Sequence, residues 1–131
     1  MEERQVKPRV STFRDLIAWQ KAMDLVREVY QQTRSMPDDE RFGLTTQLRR
    51  AAVSVPSNIA EGYARGTTAD YLRCLRIARG SLAEVQTQVE IAQQLQMLNV
   101  SDTLTDRLAV ADRVLQALIR SLETKLRTDP R

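Results

Sequence analysis

Apolar positions along this chain recur at intervals of three and four, the repeat that gathers side chains on one face of an α-helix rather than on alternate positions of a strand. Leu16, Trp19, Met23, Val26 and Tyr30 draw the first stripe. Thr12 stands where an N-cap is needed, and Asp15 lies three residues on, where a carboxylate favours the first turn. The pattern therefore predicts a helix starting at Thr12. Pro37 closes it, because the residue before a proline is pushed out of α geometry. After the turn Pro37-Asp38-Asp39-Glu40, a second stripe runs through Leu44, Leu48, Ala51, Val55, Ile59 and Tyr63. Pro56 falls inside it. Without an N–H, and clashing with the preceding turn, Pro56 predicts a kinked helix that leaves the Ala52 carbonyl short of a partner. A full break is the alternative, but Val55 is a poor N-cap and the apolar phase continues on both sides.

Gly62 and Gly66 bracket the end of the second helix, and Thr67 with Asp70 marks a second capped start. The third stripe comprises Tyr71, Leu75, Ala78, Leu82, Val85, Val89, Ala92 and Leu95, in a heptad-like phase that implies packing along the whole helix. Asn99 and Ser101-Asp102 supply stop and start signals. The fourth stripe is Leu104, Leu108, Ala111, Leu115, Leu118 and Leu122. Helices joined by connections of a few residues must run up and down, so the expected fold is all-α, an antiparallel four-helix bundle over residues 12–126. Residues 1–11 are expected to form a flexible segment and 127–131 a frayed tail. Ile17, Leu25, Val29, Ile77, Ile91, Val110, Val114 and Ile119 lie beside the main stripes. They widen the core-facing sector, or they form a subunit interface.

Composition supports this reading. Four Gly, four Pro and 5% aromatics suit long helices, and 42% hydrophobic residues suffice for one core. The charged opening, with Glu2, Glu3, Arg4, Lys7 and Arg9, lacks the apolar stretch of a secretory signal, and no window is apolar enough to span a membrane. A cytoplasmic protein is expected. Cys74 is the only cysteine and histidine is absent. That removes disulfides, Cys/His zinc sites, Ser-His-Asp and Cys-His nucleophiles and imidazole acid-base chemistry. The acids are scattered, so no catalytic residues, metal site, cofactor or small-molecule substrate is expected.

The net charge is only +3, but its distribution is uneven. The densest basic region begins at Arg41 and ends at Gly80, with Arg41, Arg49, Arg50, Arg65, Arg73, Arg76 and Arg79 against Glu40, Glu61 and Asp70. Arg73, Arg76 and Arg79 follow one another at one-turn steps, and the guanidinium fork suits phosphate. The competing reading is a solvated face with ion pairs to Glu61, Asp70 and Glu84. Tyr63 and Tyr71 would add base stacking if exposed, but they lie on core stripes, and core packing is the expectation. Ser54, Ser57, Asn58 and Glu61 surround the helix irregularity at Pro56. Their expected role is structural: to satisfy the freed carbonyl, to pin neighbouring helices, and in the case of Glu61 to pair with an arginine out of full solvent. A ligand site is the alternative.

Phe13-Arg14-Asp15-Leu16, Trp19-Gln20-Lys21-Ala22, Phe42-Gly43-Leu44, the string from Gln47 to Gly62 and Ile77 to Glu84 together resemble the bacterial four-helix bundle proteins related to the 23S rRNA intervening-sequence protein. The resemblance continues through Thr87 to Leu95, and it departs mildly at Ala83-Glu84-Val85-Gln86, which is less acidic than the family run. It implies a protomer of a ring-like homopentamer, with the extra apolar faces as subunit contacts and the arginines as an RNA-facing surface. Some members are encoded inside insertions in large-subunit rRNA genes, and a related bundle joins a reverse transcriptase. The leading expectation is a non-enzymatic oligomeric protein that binds structured RNA or other nucleic acid through Arg49, Arg50, Arg65, Arg73, Arg76 and Arg79. The rival is an assembly scaffold or accessory subunit with a protein partner such as a reverse transcriptase.

Overall fold

The structure, a computed structural model, describes residues 9–128. Four helices account for most of them: α1 (Ile17–Thr33), α2 (Leu44–Ala64), α3 (Thr68–Gln94) and α4 (Asp102–Thr128), with no strand among the described residues. Each helix packs on the next, and α4 returns to α1. The four therefore stand at the corners of a square with α1 diagonal to α3 and α2 diagonal to α4. Side-chain pairs give the directions. Ser54 meets Ser81 and Gly62 meets Cys74, while Gln32 reaches Ser101 and Asp24 reaches Arg107, so residue numbers rise on one helix as they fall on its neighbour. Neighbours are antiparallel, as short connections require.

The N-terminal cap forms where the sequence places it but serves a different element. Thr12 Oγ1 accepts from the Arg14 N–H at 3.1 Å, and Asp15 Oδ2 accepts from the N–H groups of Ser11 and Thr12 at 2.9 and 3.0 Å. These two backbone donors lower the Asp15 pKa below its usual value. The box closes only a 3₁₀ turn, Phe13–Asp15. Leu16 then adopts extended geometry, and the α-helix begins at Ile17 rather than Thr12. Phe13 folds its ring edge-on against Trp19, with centroids 5.4 Å apart, which anchors the turn beside the helix.

The face that α1 buries is also rotated from the expected one. Ala18, Ala22, Leu25 and Val29 are buried, whereas Trp19, Met23 and Val26 flank them half-buried and Tyr30 is exposed. The two alanines let α1 approach its neighbours closely, and the larger side chains fill the grooves beside that contact. On α2, α3 and α4 the expected stripes form the core, joined by Leu72, Cys74 and Ile119, while Leu95 is exposed. Of the eight extra apolar residues, Leu25, Val29 and Ile119 are core and Val110 and Val114 are half-buried. Ile17, Ile77 and Ile91 face solvent.

Helix α2 continues through Pro56, whose ring is buried, so the full break does not occur. The turn Arg65–Thr67 ends it as the glycine signal requires: Gly66 takes φ +86°, and Thr67 Oγ1 accepts from the Asp70 N–H at 3.2 Å to cap α3. Ser101 caps α4 through the Leu104 N–H at 3.0 Å. Helix α4 continues through Arg127 and Thr128, two residues assigned to a frayed tail on sequence grounds. The rest of that tail, and residues 1–8 of the expected N-terminal segment, lie outside the described residues.

Candidate nucleic-acid interface

The six arginines singled out from the sequence do not make one band. Arg49 and Arg50 lie in the first half of α2, on the side that meets α1. Arg49 Nε donates to Thr33 Oγ1 at 2.9 Å, and its guanidinium lies over the Tyr30 ring, 4.6 Å from the centroid. Arg50 is exposed beside it, where Tyr30, Arg49 and Val53 line an open recess of about 420 Å³. Arg65 sits at the end of α2 and pairs with Glu61 at 2.8 Å, a contact that raises its pKa above the ordinary value. Both partners are exposed, so the half-buried pair expected of Glu61 is instead a solvent-screened one.

Arg73, Arg76 and Arg79 occupy the first half of α3, and of the three Arg76 is the one that reaches α4. Arg76 Nη2 donates to Glu123 Oε2 at 3.2 Å. Arg73 and Arg79, one turn to either side, are exposed and form no ion pair among the described residues. The α1–α2 and α3–α4 edges are opposite sides of the square. The sequence grouping therefore splits in two, because arginines on two helices project toward different neighbours.

The α3–α4 edge gains arginines that the sequence reading missed. On α4, Arg120 precedes Glu123 by three residues and Arg127 follows it by four, which places both on the same helix side as that carboxylate. Both are exposed, as is Arg113 one heptad earlier. Glu123 pairs with Arg76, and exposed Arg120 and Arg127 flank that carboxylate along α4. The signal was present in the seven-residue spacing of Arg113, Arg120 and Arg127, but it is diluted by Asp106, Asp112 and Glu123 on the same helix.

The polar cluster near Pro56 is half structural bridge, half local bonding. Ser54 Oγ and Ser81 Oγ are 2.7 Å apart and join α2 to α3, and Asn58 Nδ2 donates to Ser54 Oγ at 2.9 Å and to the Ser54 carbonyl at 2.8 Å. Ser57 Oγ donates to the Val53 carbonyl at 2.8 Å. The carbonyls reached are those of Val53 and Ser54 and not that of Ala52, which corrects one part of the expected role, while the Ser54–Ser81 contact pins α2 to α3 as expected; Glu61 lies outside the cluster, with Arg65. Tyr63 and Tyr71 pack edge to face, with centroids 6.0 Å apart, both half-buried in keeping with core packing. Burial, with a smaller contribution from Tyr63, pushes the Tyr71 phenol up to about 12, and its hydroxyl has no hydrogen-bond partner.

Among the described residues, no group of three or more His, Cys, Asp or Glu side chains is placed to hold a metal ion, and no helix is long and apolar enough to cross a membrane. A family model described as 23S rRNA-intervening sequence protein matches residues 14–119. No curated protein matches the chain.

Proposed function

Because the chain belongs to the 23S rRNA-intervening sequence protein family, we propose that it is a non-enzymatic, oligomeric, cytoplasmic protein that binds structured RNA on its α3–α4 edge. The observation that carries this reading is the exposure of Arg73, Arg79 and Arg120 with no acidic partner among the described residues. Arginines held apart on rigid helices suit the spaced phosphates of a folded nucleic acid, and each phosphate they neutralise releases counterions.

Assembly follows from two apolar edges that differ from one another. On the α2–α3 edge, exposed Ile77 and Ile91 flank Gly80, and Gly80 and Ile91 border a groove of about 370 Å³. On the opposite α1–α4 edge, exposed Val10 and Ile17 with Val114 and Leu118 line a groove of about 630 Å³. Two unlike faces on opposite sides of a protomer suit head-to-tail contacts, which close into a ring when the rotation allows. A ring-like homopentamer is the assembly we assign. In the same reading α2 is kinked at Pro56, whose missing N–H leaves the Ala52 carbonyl without its helical donor.

A second reading, an accessory subunit for a protein partner such as a reverse transcriptase, is favoured by Phe42, which is 88% exposed beneath the Arg41 guanidinium. The test measures mass by light scattering on nuclease-treated protein, then titrates labelled structured RNA at two salt concentrations. Arg73→Glu/Arg79→Glu is expected to lower RNA affinity at least about tenfold, to flatten the salt dependence, and to leave the mass unchanged. Weak binding indifferent to the double reversal would sink the RNA reading and direct the search to a protein partner captured through Phe42.

A further inference from the structure

Where α1 turns into α2, three arginines line one hollow. Arg34, just past α1, Arg41 in the connection and Arg49 on α2 line a recess of about 270 Å³ together with Asp38 and Thr45. Asp38 forms no ion pair with any of them among the described residues. Thr45 is buried, at 7% exposure, and its Oγ1 has no hydrogen-bond partner. Arg49 is held in place: its Nε donates to Thr33 Oγ1, whose own proton goes to the Val29 carbonyl at 2.7 Å, and Tyr30 supports its guanidinium face. Its terminal N–H groups remain for another acceptor. Glu40 is committed elsewhere, accepting from the Leu44 N–H at 3.0 Å at the start of α2.

This arrangement is unfavourable as it stands. Three arginines outnumber the one acid, Asp38, in the wall of the recess, and a buried hydroxyl lacks the bond it gave up on leaving water. One anion rich in acceptor oxygens relieves both. Guanidinium forks bind carboxylate and phosphate alike, but three of them plus a neutral hydroxyl present more donors than the two oxygens of a carboxylate can use. The volume lies below the roughly 300–1,000 Å³ of sites that enclose drug-sized ligands, so it suits a phosphoryl group rather than a whole nucleotide. We propose that this recess binds a phosphoryl group, with Arg34, Arg41 and Arg49 as charged donors and the Thr45 hydroxyl as the neutral one. The site lies at the α1–α2 connection, away from the Arg76–Glu123 pair that joins α3 to α4, and does not rest on the RNA reading.

The test follows the arginine Nε–H resonances and the Thr45 amide of the full chain by NMR during titration with inorganic phosphate at constant ionic strength. A saturable shift at Arg49 and Thr45 is expected, with affinity lowered at least about tenfold by Arg41→Gln, the loss of one charge-assisted contact. Thr45→Val keeps the shape of the buried side chain, so it tests the hydroxyl without emptying the core, and it too weakens binding. Dimethyl phosphate distinguishes sources: a saturable response to it assigns the site to a nucleic-acid backbone, whereas a response to inorganic phosphate alone assigns it to a phosphate monoester. Failure of both to saturate, a drift shared equally by Arg73 and Arg79, or a Thr45→Val protein that binds as tightly as the wild type would overturn the proposal. Phosphate binding that persists while structured RNA fails to bind would remove the RNA reading alone.

Discussion

Gly62 in α2 and Gly80 in α3 are both helix-interior glycines, and their surroundings are opposite. A Cβ on Gly62 would fall 2.7 Å from the Cys74 Cβ and 3.1 Å from the Tyr71 carbonyl oxygen, whereas one on Gly80 would meet nothing within 4 Å. The first glycine is explained inside the protomer: it lets the backbones of α2 and α3 close up beside the turn that joins them. The second is not. A glycine in an exposed helix costs up to about 1 kcal/mol relative to alanine, and nothing within this protomer offsets that. In the proposed assembly, a second copy approaching closely over the groove between Ile77 and Ile91 would offset it.

Substitution by alanine separates the two cases. Gly62→Ala should lower the unfolding free energy by about 2–3 kcal/mol, because Cys74 and the Tyr71 backbone have little room to move; denaturant titration measures it, and a neutral result would mean that the α2–α3 seam is looser than its distances imply. Gly80→Ala should act in the other direction on the protomer, adding about 0.5–1 kcal/mol of stability, while shifting light-scattering mass toward smaller species. Unchanged mass at all concentrations would remove Gly80 from the subunit contact. The smallest effect concerns Tyr71, which packs on Gly62. Its raised folded-state pKa means that between pH 10 and about 12 the unfolded chain gives up this proton before the folded one does, so stability falls as pH rises through that window and is fully present below it. Absorbance of tyrosinate should show one phenol titrating near 12, and Tyr71→Phe should flatten the alkaline loss.

The contrast also marks how far the sequence could be read. The stripes of α2, α3 and α4, the caps at Thr67 and Ser101 and the short turn at Gly66 were visible because each rests on local chemistry: a period, a hydroxyl, a residue that tolerates positive φ. The burial of α1 was not, because Ala18 and Ala22 add little to a hydrophobic pattern yet decide which face comes nearest the neighbours. Asp15 and Thr12 gave a correct cap for a turn of three residues, since a capping box carries no information on how long its helix runs. The arginines failed differently. Spacing along one helix predicted the step from Arg73 to Arg79, but convergence between helices depends on how they are rotated. Arg34, Arg41 and Arg49 come to line one recess, and Arg76 finds Glu123, only in three dimensions.

Cys74 lies at the point where Gly62 brings the two backbones together, and it is buried there as the chain's only thiol. A disulfide through this sulfur would first have to prise α2 from α3. The same enclosure makes the sulfur a clock, because a thiol reagent can reach it only when the seam opens, so that the rate of alkylation reads out local unfolding where α2 and α3 meet.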